Sequence, residues 1–300
     1  LHKEYRRQRQ MCIRDRILIV GHKTLSKTSE HIYTMHIDDG APSHPGGSNN
    51  YFVGDPQKKM VIIDTGDYER KWTKSIIEYY VQLGKPPIEA ILITHGHGDH
   101  TGGLDRIQDL VGCPVRCHPD LADKLSRILG DESIVIPLED REKIHLDRDV
   151  DLEVIFTPGH EVDHVCYYLA CDGVMFTGDT VLGASSTSVR DLTSYMKSLE
   201  LITTYEHDTV CPAHGPVVPP PKGKDLVQWQ LDHRLNRERQ VIAALEKGAL
   251  SVSDIRLTVY PSDLDEKLIP TAESNIERHL DKLIGEGRVH RTDSSFSIDQ

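Results

Sequence analysis

The stretch Thr94-His95-Gly96-His97-Gly98-Asp99-His100 places four side chains that can ligate a metal within six consecutive residues. A regular strand or helix would point these side chains in different directions, so only a loop can make all four converge. An apolar run at residues 90–94 leads into the cluster, and residues 101–110 follow with helical spacing of apolar positions. The cluster is therefore predicted to lie in a loop at the C-terminal end of a strand.

Further ligands are predicted downstream of this cluster. Zinc prefers imidazole and carboxylate ligands, and two ions use roughly six or seven of them with one bridging group. Three candidates stand in turns at predicted strand ends: His160 in Thr157-Pro158-Gly159-His160, Asp179 in Gly178-Asp179-Thr180 and His214 in Pro212-Ala213-His214-Gly215. The sequence thus predicts a dinuclear site with two Zn²⁺ per chain, held by His95, His97, Asp99, His100, His160, Asp179 and His214.

Short β-like runs and helical segments alternate around these motifs. The β-like runs lie at residues 17–20, 31–36, 51–53, 60–63, 90–94, 115–117, 154–157, 166–169 and 174–177. Helical spacing of apolar residues marks residues 68–83, 101–110 and 121–129. Sheets flanked by helices follow from this order. The predicted fold class is therefore α+β, with an αββα sandwich as the catalytic domain over residues 17–215.

The composition changes at residues 216–224, where Pro219, Pro220 and Pro221 follow one another, as is typical of a linker. Helical patterns at residues 228–246, after Ser251 and at 270–286 then precede a β-like segment at 288–298. Three helices and a hairpin predict a small winged-helix-like domain over residues 225–300. Residues 1–16 hold six Lys or Arg without a regular period and are expected to be a disordered leader.

Charge and composition narrow the class of protein. A formal charge of −12 disfavours a surface built throughout for phosphate backbones. No stretch approaches the roughly eighteen apolar residues of a membrane span, and no secretory signal pattern is present. The six cysteines form no CxxC pair and are expected to be reduced thiols. A cytoplasmic protein with no membrane association is predicted.

With these motifs in place, the chain resembles the metallo-β-lactamase superfamily. The HxHxDH motif at residues 95–100, a later single His, an Asp and a final His occur here in the order typical of that superfamily. The resemblance implies that His95, His97 and His160 hold one zinc and that Asp99, His100 and His214 hold the other. It further implies that Asp179 bridges both ions and that Asp64, in Asp64-Thr65-Gly66, orients the ligand loop.

A closer resemblance links the chain to the β-lactamase-like protein 2 group, which carries a winged-helix tail. It extends over about residue 17 onward and rests on SNNY (48–51), TPGHEVDH (157–164), GDTVLG (178–183), DLTSY (191–195) and HRLNRE (233–238). Gly96 and Gly98 replace bulkier residues often seen in the group, and Ala184-Ser185-Ser186 replaces a Gly-Thr-Thr loop. These departures leave the substrate open.

The resulting hypothesis is a metal-dependent hydrolase in which a hydroxide shared by two zinc ions attacks an ester, thioester or lactone. Asp99 and His164 are the predicted catalytic side chains, Asp99 orienting the nucleophile or accepting its proton and His164 transferring a proton. A small-molecule or acyl-type substrate is the expected partner, and the oligomeric state stays open. The alternatives are a single-stranded RNA endoribonuclease and a non-hydrolytic diiron redox module.

Overall fold

The computed structural model describes residues 26–38, 40, 45–248, 250–292 and 295–298, so the predicted leader and the predicted strand at 17–20 lie outside the described residues. The strands are β1 (Lys27–Ser29), β2 (Ile32–Ile37), β3 (Ser48–Gly54), β4 (Met60–Ile63), β5 (Ile88–Leu92), β6 (Val115–Cys117), β7 (Val135–Pro137), β8 (Lys143–Asp147), β9 (Val150–Phe156), β10 (Val165–Leu169), β11 (Val174–Gly178), β12 (Thr209–Pro212), β13 (Val289–Arg291) and β14 (Phe296–Ile298). The helices are α1 (Arg70–Gln82), α2 (Gly98–Thr101), α3 (Leu104–Val111), α4 (Pro119–Leu129), α5 (Leu192–Thr203), α6 (Lys222–Glu246), α7 (Val252–Val259) and α8 (Ile269–Gly285).

Two sheets form the larger part of the fold. The first has the order β1-β2-β3-β4-β5-β6-β7 and the second the order β12-β11-β10-β9-β8. Strands β1 to β4 pair antiparallel, whereas β4 to β7 pair parallel. This change follows from the connections, because helical crossovers separate the strands from β4 onward and parallel strands need such crossovers. In the second sheet only β11 and β12 pair parallel.

The two sheets share one apolar core. Tyr51 from β3 packs edge-on against Phe176 from β11, with ring centroids 5.1 Å apart. Leu92, Val154 and Tyr167 lie in the same buried cluster. The alternating side chains of strands explain this, since one face of each sheet meets the other sheet. The predicted sandwich of two sheets is present.

Helices cover the opposite face of the first sheet. Ile76 of α1, Leu104 of α3 and Leu125 of α4 are buried together with Phe52 and Ile91, whose side chains leave the strands on that outer face. These helices have apolar residues at intervals of three or four, which is the pattern that buries one side of a helix. The three predicted helices in this region are therefore confirmed in position, with one interruption.

The predicted helix at 101–110 begins only at Leu104, as α3, and the predicted loop is wrong at Asp99 and His100, which lie in the short helix α2; Gly102 and Gly103 separate the two helices. A Cβ on Gly102 would lie 2.2 Å from the backbone N of Tyr68, and one on Gly103 would lie 2.4 Å from the carbonyl O of Thr65. The backbone thus passes directly against the turn after β4, and a side chain at either position would collide with it. This close passage ties the turn that follows Asp64 to the ligand loop.

Several elements carried too weak a pattern for prediction. They are β1, β7, β8, α5 and β12. Helix α5 begins after Asp191, whose carboxylate accepts hydrogen bonds from the backbone N of Thr193 and of Ser194. An N-terminal Asp of this kind satisfies free amides of the first turn.

Residue contacts divide the chain into two compact units. One contains the described residues up to Thr157, with Glu161–Thr187 and Glu206–Lys224, and the other contains Pro158–His160, Ser188–Tyr205 and the described residues from Asp225 onward. The second unit has its own core, in which Val241, Ile276 and Phe296 are buried. Helix α6 begins at Lys222, within the stretch predicted as a linker, and belongs to the second unit from Asp225 onward. In the described part of the chain, no helix is long and apolar enough to cross a membrane.

Candidate metal centre

Strand ends bring the predicted ligands toward one edge of the sheets. Asp64 follows β4 and the cluster 95–100 follows β5, and these two strands are parallel. Asp179 follows β11 and His214 follows β12, which are also parallel. Because parallel strands end at the same edge of a sheet, side chains far apart in sequence meet there.

The structure places all seven predicted ligands in two groups. Within each group, one ligand atom from every residue lies within 4.8 Å of the others; the groups are His95, His97, His160 and Asp179, and then Asp99, His100 and His214. Oδ1 of Asp179 joins the second group as well, at 3.5 Å from Nε2 of His100 and 3.3 Å from Nε2 of His214. Asp179 therefore occupies the position expected of a bridging carboxylate.

The histidine rings turn one nitrogen toward the groups and the other toward a protein partner. In the first group, Nε2 of His95 faces Nδ1 of His97 at 2.9 Å. The remaining nitrogen of His97, Nε2, lies 3.0 Å from Oε1 of Glu161. Nδ1 of His160 lies 2.8 Å from the carbonyl O of Ser188. Carboxylate and carbonyl oxygens accept hydrogen bonds, so these ring nitrogens carry the proton and the opposite ones present a lone pair.

The second group follows the same rule. Nδ1 of His100 lies 2.8 Å from Oδ2 of Asp64, and Nδ1 of His214 lies 2.8 Å from Oγ of Ser48. Their Nε2 atoms face Oδ2 of Asp99, at 3.8 Å from His100 and 3.3 Å from His214. Buried Nε2 of His100 makes no hydrogen bond within the described residues. A lone pair kept free in this way fits a metal ligand.

Asp64 has a backbone conformation that few residues adopt. Its φ angle is 60°, in the left-handed region, where Asp is among the better-tolerated non-glycine residues. The turn aims its carboxylate at the ligand loop, where it accepts hydrogen bonds from the backbone N and from Oγ1 of Thr94, each at 2.8 Å, as well as from His100. One carboxylate thus fixes both the start of the loop and the orientation of a ligand ring.

Strand β3 holds the loop that carries His214. The side-chain amide of Asn49 donates to the carbonyl O of Pro212 and of Gly215, each at 2.9 Å. The hydroxyl of Tyr51 also donates to the carbonyl O of Pro212, at 2.6 Å. Neighbouring side chains of the SNNY motif therefore position the His214 loop while Ser48 orients its ring.

His164 is fully buried beside the Asp179 turn. Its Nε2 accepts a hydrogen bond from the backbone N of Asp179 at 3.0 Å, so in the neutral ring Nδ1 carries the proton and donates to Oγ1 of Thr157 at 2.9 Å. A Cβ on Gly178 would lie only 2.6 Å from Nε2 of His164, and the φ of Gly178 is 48°. The glycine lets the turn approach the imidazole closely enough for this contact.

The electrostatics of the site suit a cation. Burial alone would lower the pKa of His100, but the carboxylates of Asp64 and Asp179 raise it to about 10. Burial alone would raise the pKa of Asp99, yet the hydrogen bond with His214 and the charge of His100 hold it below its usual range. A proton on His100 thus balances part of the negative charge in the metal-free chain. Five imidazoles and two carboxylates fit divalent transition metals, zinc among them.

Comparison with known families agrees with this geometry. Residues 44–214 match the model of the metallo-beta-lactamase superfamily, and residues 251–297 match that of the beta-lactamase associated winged helix domain. The chain belongs to the metallo-β-lactamase superfamily. Membership confirms the predicted α+β fold class with its winged-helix-like tail, and it confirms the predicted class of enzyme, a hydrolase.

Relatives within the superfamily cover most of the chain. The atrochrysone carboxyl ACP thioesterase of Passalora fulva is 34% identical over 81% of this chain and 72% of its own length. The beta-lactamase-like protein 2 homolog of Drosophila melanogaster is 31% identical over 83% of this chain and 86% of its own length. The crystal structure of a beta-lactamase domain protein from Burkholderia ambifaria has a TM-score of 0.71 at 18% identity, covering 95% of this chain and 96% of that one.

Some residues of this superfamily site were not assigned a role from the sequence. They are the partners of the ligand rings: Ser48, Glu161 and Ser188. For Glu161 a signal exists, because it directly follows a predicted ligand and a ligating imidazole commonly donates to a carboxylate. For Ser188 none exists, since its backbone carbonyl is the acceptor and any residue type offers one.

Proposed function

We propose that this chain is a dinuclear zinc thioesterase. The observation that carries the proposal is the pair of ligand groups joined through Asp179, in which His97, His100 and His160 each turn one ring nitrogen to a carboxylate or carbonyl oxygen and leave the other for ligation. In this proposal His95, His97 and His160 hold one ion, and Asp99, His100 and His214 hold the other. When bound, the two ions would supply an activated water as nucleophile and polarise the scissile carbonyl oxygen.

The open side of the site is defined by two ligands. The side chain of His97 is 41% exposed and that of Asp99 is 22% exposed, whereas those of His100 and His214 are almost fully buried. A substrate therefore approaches past His97 and Asp99. Asp99 is the carboxylate that meets the attacking water, and an ionised carboxylate there orients the water and accepts its proton.

For His164 we propose a positioning role in place of the proton transfer expected from the sequence. Both of its ring nitrogens have partners in the protein, and the ring is buried behind the Asp179 turn. A proton donor must reach the leaving group, directly or through one water. Held where it is, the imidazole instead fixes the backbone N of Asp179 and with it the direction of the bridging carboxylate.

The thioester class is supported by relatives and by charge. The Passalora fulva relative is named a thioesterase of an acyl carrier protein substrate. Some cations of the winged-helix region are paired with carboxylates: Arg256 with Glu273 at 3.0 Å, and Lys282 with Glu238 at 2.7 Å. Paired cations contribute little to binding a phosphate backbone, so the described tail offers weak support for an RNA substrate.

Hydrolysis of matched acyl substrates tests the proposal. The zinc-loaded chain is given one acyl group as a pantetheine thioester and as an oxygen ester, and separately a single-stranded RNA. We expect about two zinc ions per chain by elemental analysis and a kcat/KM highest for the thioester. A coloured, redox-active iron centre without hydrolysis, or preferential RNA cleavage, would overturn it.

Variants link that activity to the site. Asp99→Asn keeps the size of the side chain but weakens its ability to accept a proton, so kcat should fall by about 10²-fold or more. His145→Gln is the matched control, because His145 is an exposed histidine paired with Asp151 at 2.8 Å outside both ligand groups. Equal activity of Asp99→Asn and the control would refute the role of Asp99.

A further inference from the structure

A second set of metal-binding side chains lies outside the candidate centre. Cys171 and Asp172 occupy the short 3-10 helix after β10, and His31 stands in the turn between β1 and β2. One ligand atom from each of the three lies within 4.8 Å of the others. None of the three belongs to the ligand groups of the dinuclear site.

The strand register separates this cluster from the dinuclear site. Ile32, next to His31, pairs with Val53 at one end of β3, while Ser48, which contacts His214, pairs with Ile37 at the other end. At about 3.3 Å per residue, the five steps from Ile32 to Ile37 put roughly 16–17 Å between the two ends of β2. The cluster therefore lies at the opposite edge of the sandwich.

Asp172 is the fixed point of the cluster. Its side chain is 3% exposed, and it accepts hydrogen bonds from Oγ of Ser29 and from the backbone N of His31, the latter at 2.9 Å. Its Oδ1 lies 2.7 Å from Nδ1 of His31 and 3.4 Å from Sγ of Cys171. Sγ of Cys171 lies 3.9 Å from the same Nδ1.

This geometry differs from that of a nucleophilic Cys-His-Asp relay. A relay uses the two ring nitrogens of the histidine, one for the nucleophile and one for the carboxylate. Here Nδ1 of His31 faces both Asp172 and Cys171, so three donor atoms face one another. Ligand atoms around a tetrahedral zinc are about 3.3–3.7 Å apart, given bonds of about 2.0–2.3 Å. Of the two separations that involve sulfur, 3.4 Å lies within that range and 3.9 Å lies just above it.

We propose that His31, Cys171 and Asp172 form a second, mononuclear metal site that binds Zn²⁺. Imidazole, thiolate and carboxylate are ligands that zinc takes, and water completes the four-coordinate shell because Cys171 is exposed. Binding forms one bond each to nitrogen, sulfur and oxygen. The thiol proton leaves to solvent, and the ring proton of His31 moves from Nδ1 to Nε2, so one proton is released per ion.

Cobalt binding by the full chain tests the proposal. The metal-free protein is titrated with Co²⁺, and thiolate-to-cobalt charge transfer is followed in the near ultraviolet. The dinuclear site contains only imidazoles and carboxylates, so a thiolate band reports the second site alone. We expect a thiolate band that saturates with one cobalt, a total of about three cobalt ions per chain, and loss of the band when Zn²⁺ is added.

Three variants make the result specific. Cys171→Ser should abolish the band and leave about two bound cobalt ions, and it should fold because Cys171 is exposed. Asp172→Asn should raise the dissociation constant for the cobalt ion that gives the thiolate band at least tenfold. His145→Gln, which alters a His–Asp pair without a cysteine, should leave the band unchanged. No thiolate band in the unmodified chain, or a band that persists in Cys171→Ser, would overturn the site. Loss of the dinuclear ions with the band retained would count against the proposed function alone.

Discussion

Replacing Asp64 with Asn tests how the protein chooses the ligating nitrogen of His100. The carboxylate accepts hydrogen bonds from the backbone N and from Oγ1 of Thr94 and from Nδ1 of His100, all at 2.8 Å. In Asp64→Asn, one oxygen becomes an NH₂ donor. If that donor faces His100, Nδ1 must accept, which moves the ring proton to Nε2 and blocks the metal-facing lone pair. If the new NH₂ group faces the backbone N–H of Thr94, two donors oppose each other and that hydrogen bond is lost.

The size of the effect follows from these alternatives. Loss of a hydrogen-bond partner behind a ligating histidine costs about 10- to 100-fold in metal affinity. That range is about 1.4–2.7 kcal/mol. We expect the upper end, because the substitution also removes the negative charge that raises the pKa of His100. The effect should fall on the ion held with Asp99 and His214 and spare the one held with His95.

The assay is a competition between the protein and a chelator of known zinc affinity, resolved into two binding steps. Asn tolerates the left-handed conformation in which Asp64 stands, so the variant should fold, and circular dichroism checks this. Asp140→Asn is the matched control, since Asp140 accepts one backbone N–H at an exposed position. If each binding step had the same zinc affinity in Asp64→Asn as in Asp140→Asn, the proposed selection of the tautomer would be refuted.

Three further predictions address the bridge, the glycine turn and pH. Asp179→Ala should lower the occupancy of both ions and reduce kcat by about 10²-fold or more, whereas His145→Gln should do neither; retained zinc content in Asp179→Ala would contradict the bridging role. Gly178→Ala should lower zinc occupancy, because its Cβ would lie 2.6 Å from the imidazole that holds Asp179, whereas Gly98→Ala enters open space and should bind zinc normally. The folded-state pKa of His100 is raised from 6.5 to about 10, so its stabilisation of the metal-free chain is present below pH 6.5 and is lost as the pH rises toward 10. The thermal midpoint of the metal-free chain should therefore fall more steeply between pH 6.5 and 10 than that of His100→Gln. Equal slopes would contradict the raised pKa of His100.

The grouping of the candidate ligands could be predicted because their pattern is local. Four side chains that can bind metal lie between His95 and His100, too closely spaced for a regular strand to place them on one face. Each of the other three candidates, His160, Asp179 and His214, stands in a turn after an apolar run. Strand β4 was predicted with its observed bounds for a similar reason, since four apolar residues end at an Asp-Thr-Gly turn. The local sequence was sufficient to predict an element wherever a run of apolar residues ended at a turn motif.

Elements at the margin of the sheets could not be predicted in the same way. Strand β7 has three residues, two of them exposed, and β8 alternates exposed and buried positions around Ile144 and Leu146. Their strand conformation depends on pairing with β6 and β9, which the sequence of each segment alone does not encode. The break at Gly102 and Gly103 likewise depends on a backbone that approaches from elsewhere in the chain.

The orientation of His164 could not be predicted from its place in the sequence. It follows His160 by four residues in a polar turn, which favoured a role in proton transfer. The chain, however, turns back into β10 directly after it, and Val165 donates its backbone N–H to the carbonyl O of Thr94. That pairing draws the imidazole beneath the ligand loop, where it is fully buried. The direction of a side chain thus depends on where the next strand pairs.

The partners of the ligands come from separate strands, and this explains how the fold fixes the protonation of the site. Ser48 begins β3, Asp64 follows β4 and Glu161 precedes β10, and each donates to or accepts from a different imidazole. The apolar core between the sheets holds these strands in register, so the tautomers are set by the packing of residues that never contact a ligand.

A core substitution that shifts β3 against β12 should therefore loosen the ion at His214 before it unfolds the chain. Tyr51→Phe is the sharpest case, because it keeps the ring packed on Phe176 and removes the hydroxyl that donates to Pro212. Zinc competition should show weaker binding at the His214 step with the other step unchanged, and equal loosening of both steps would contradict this route.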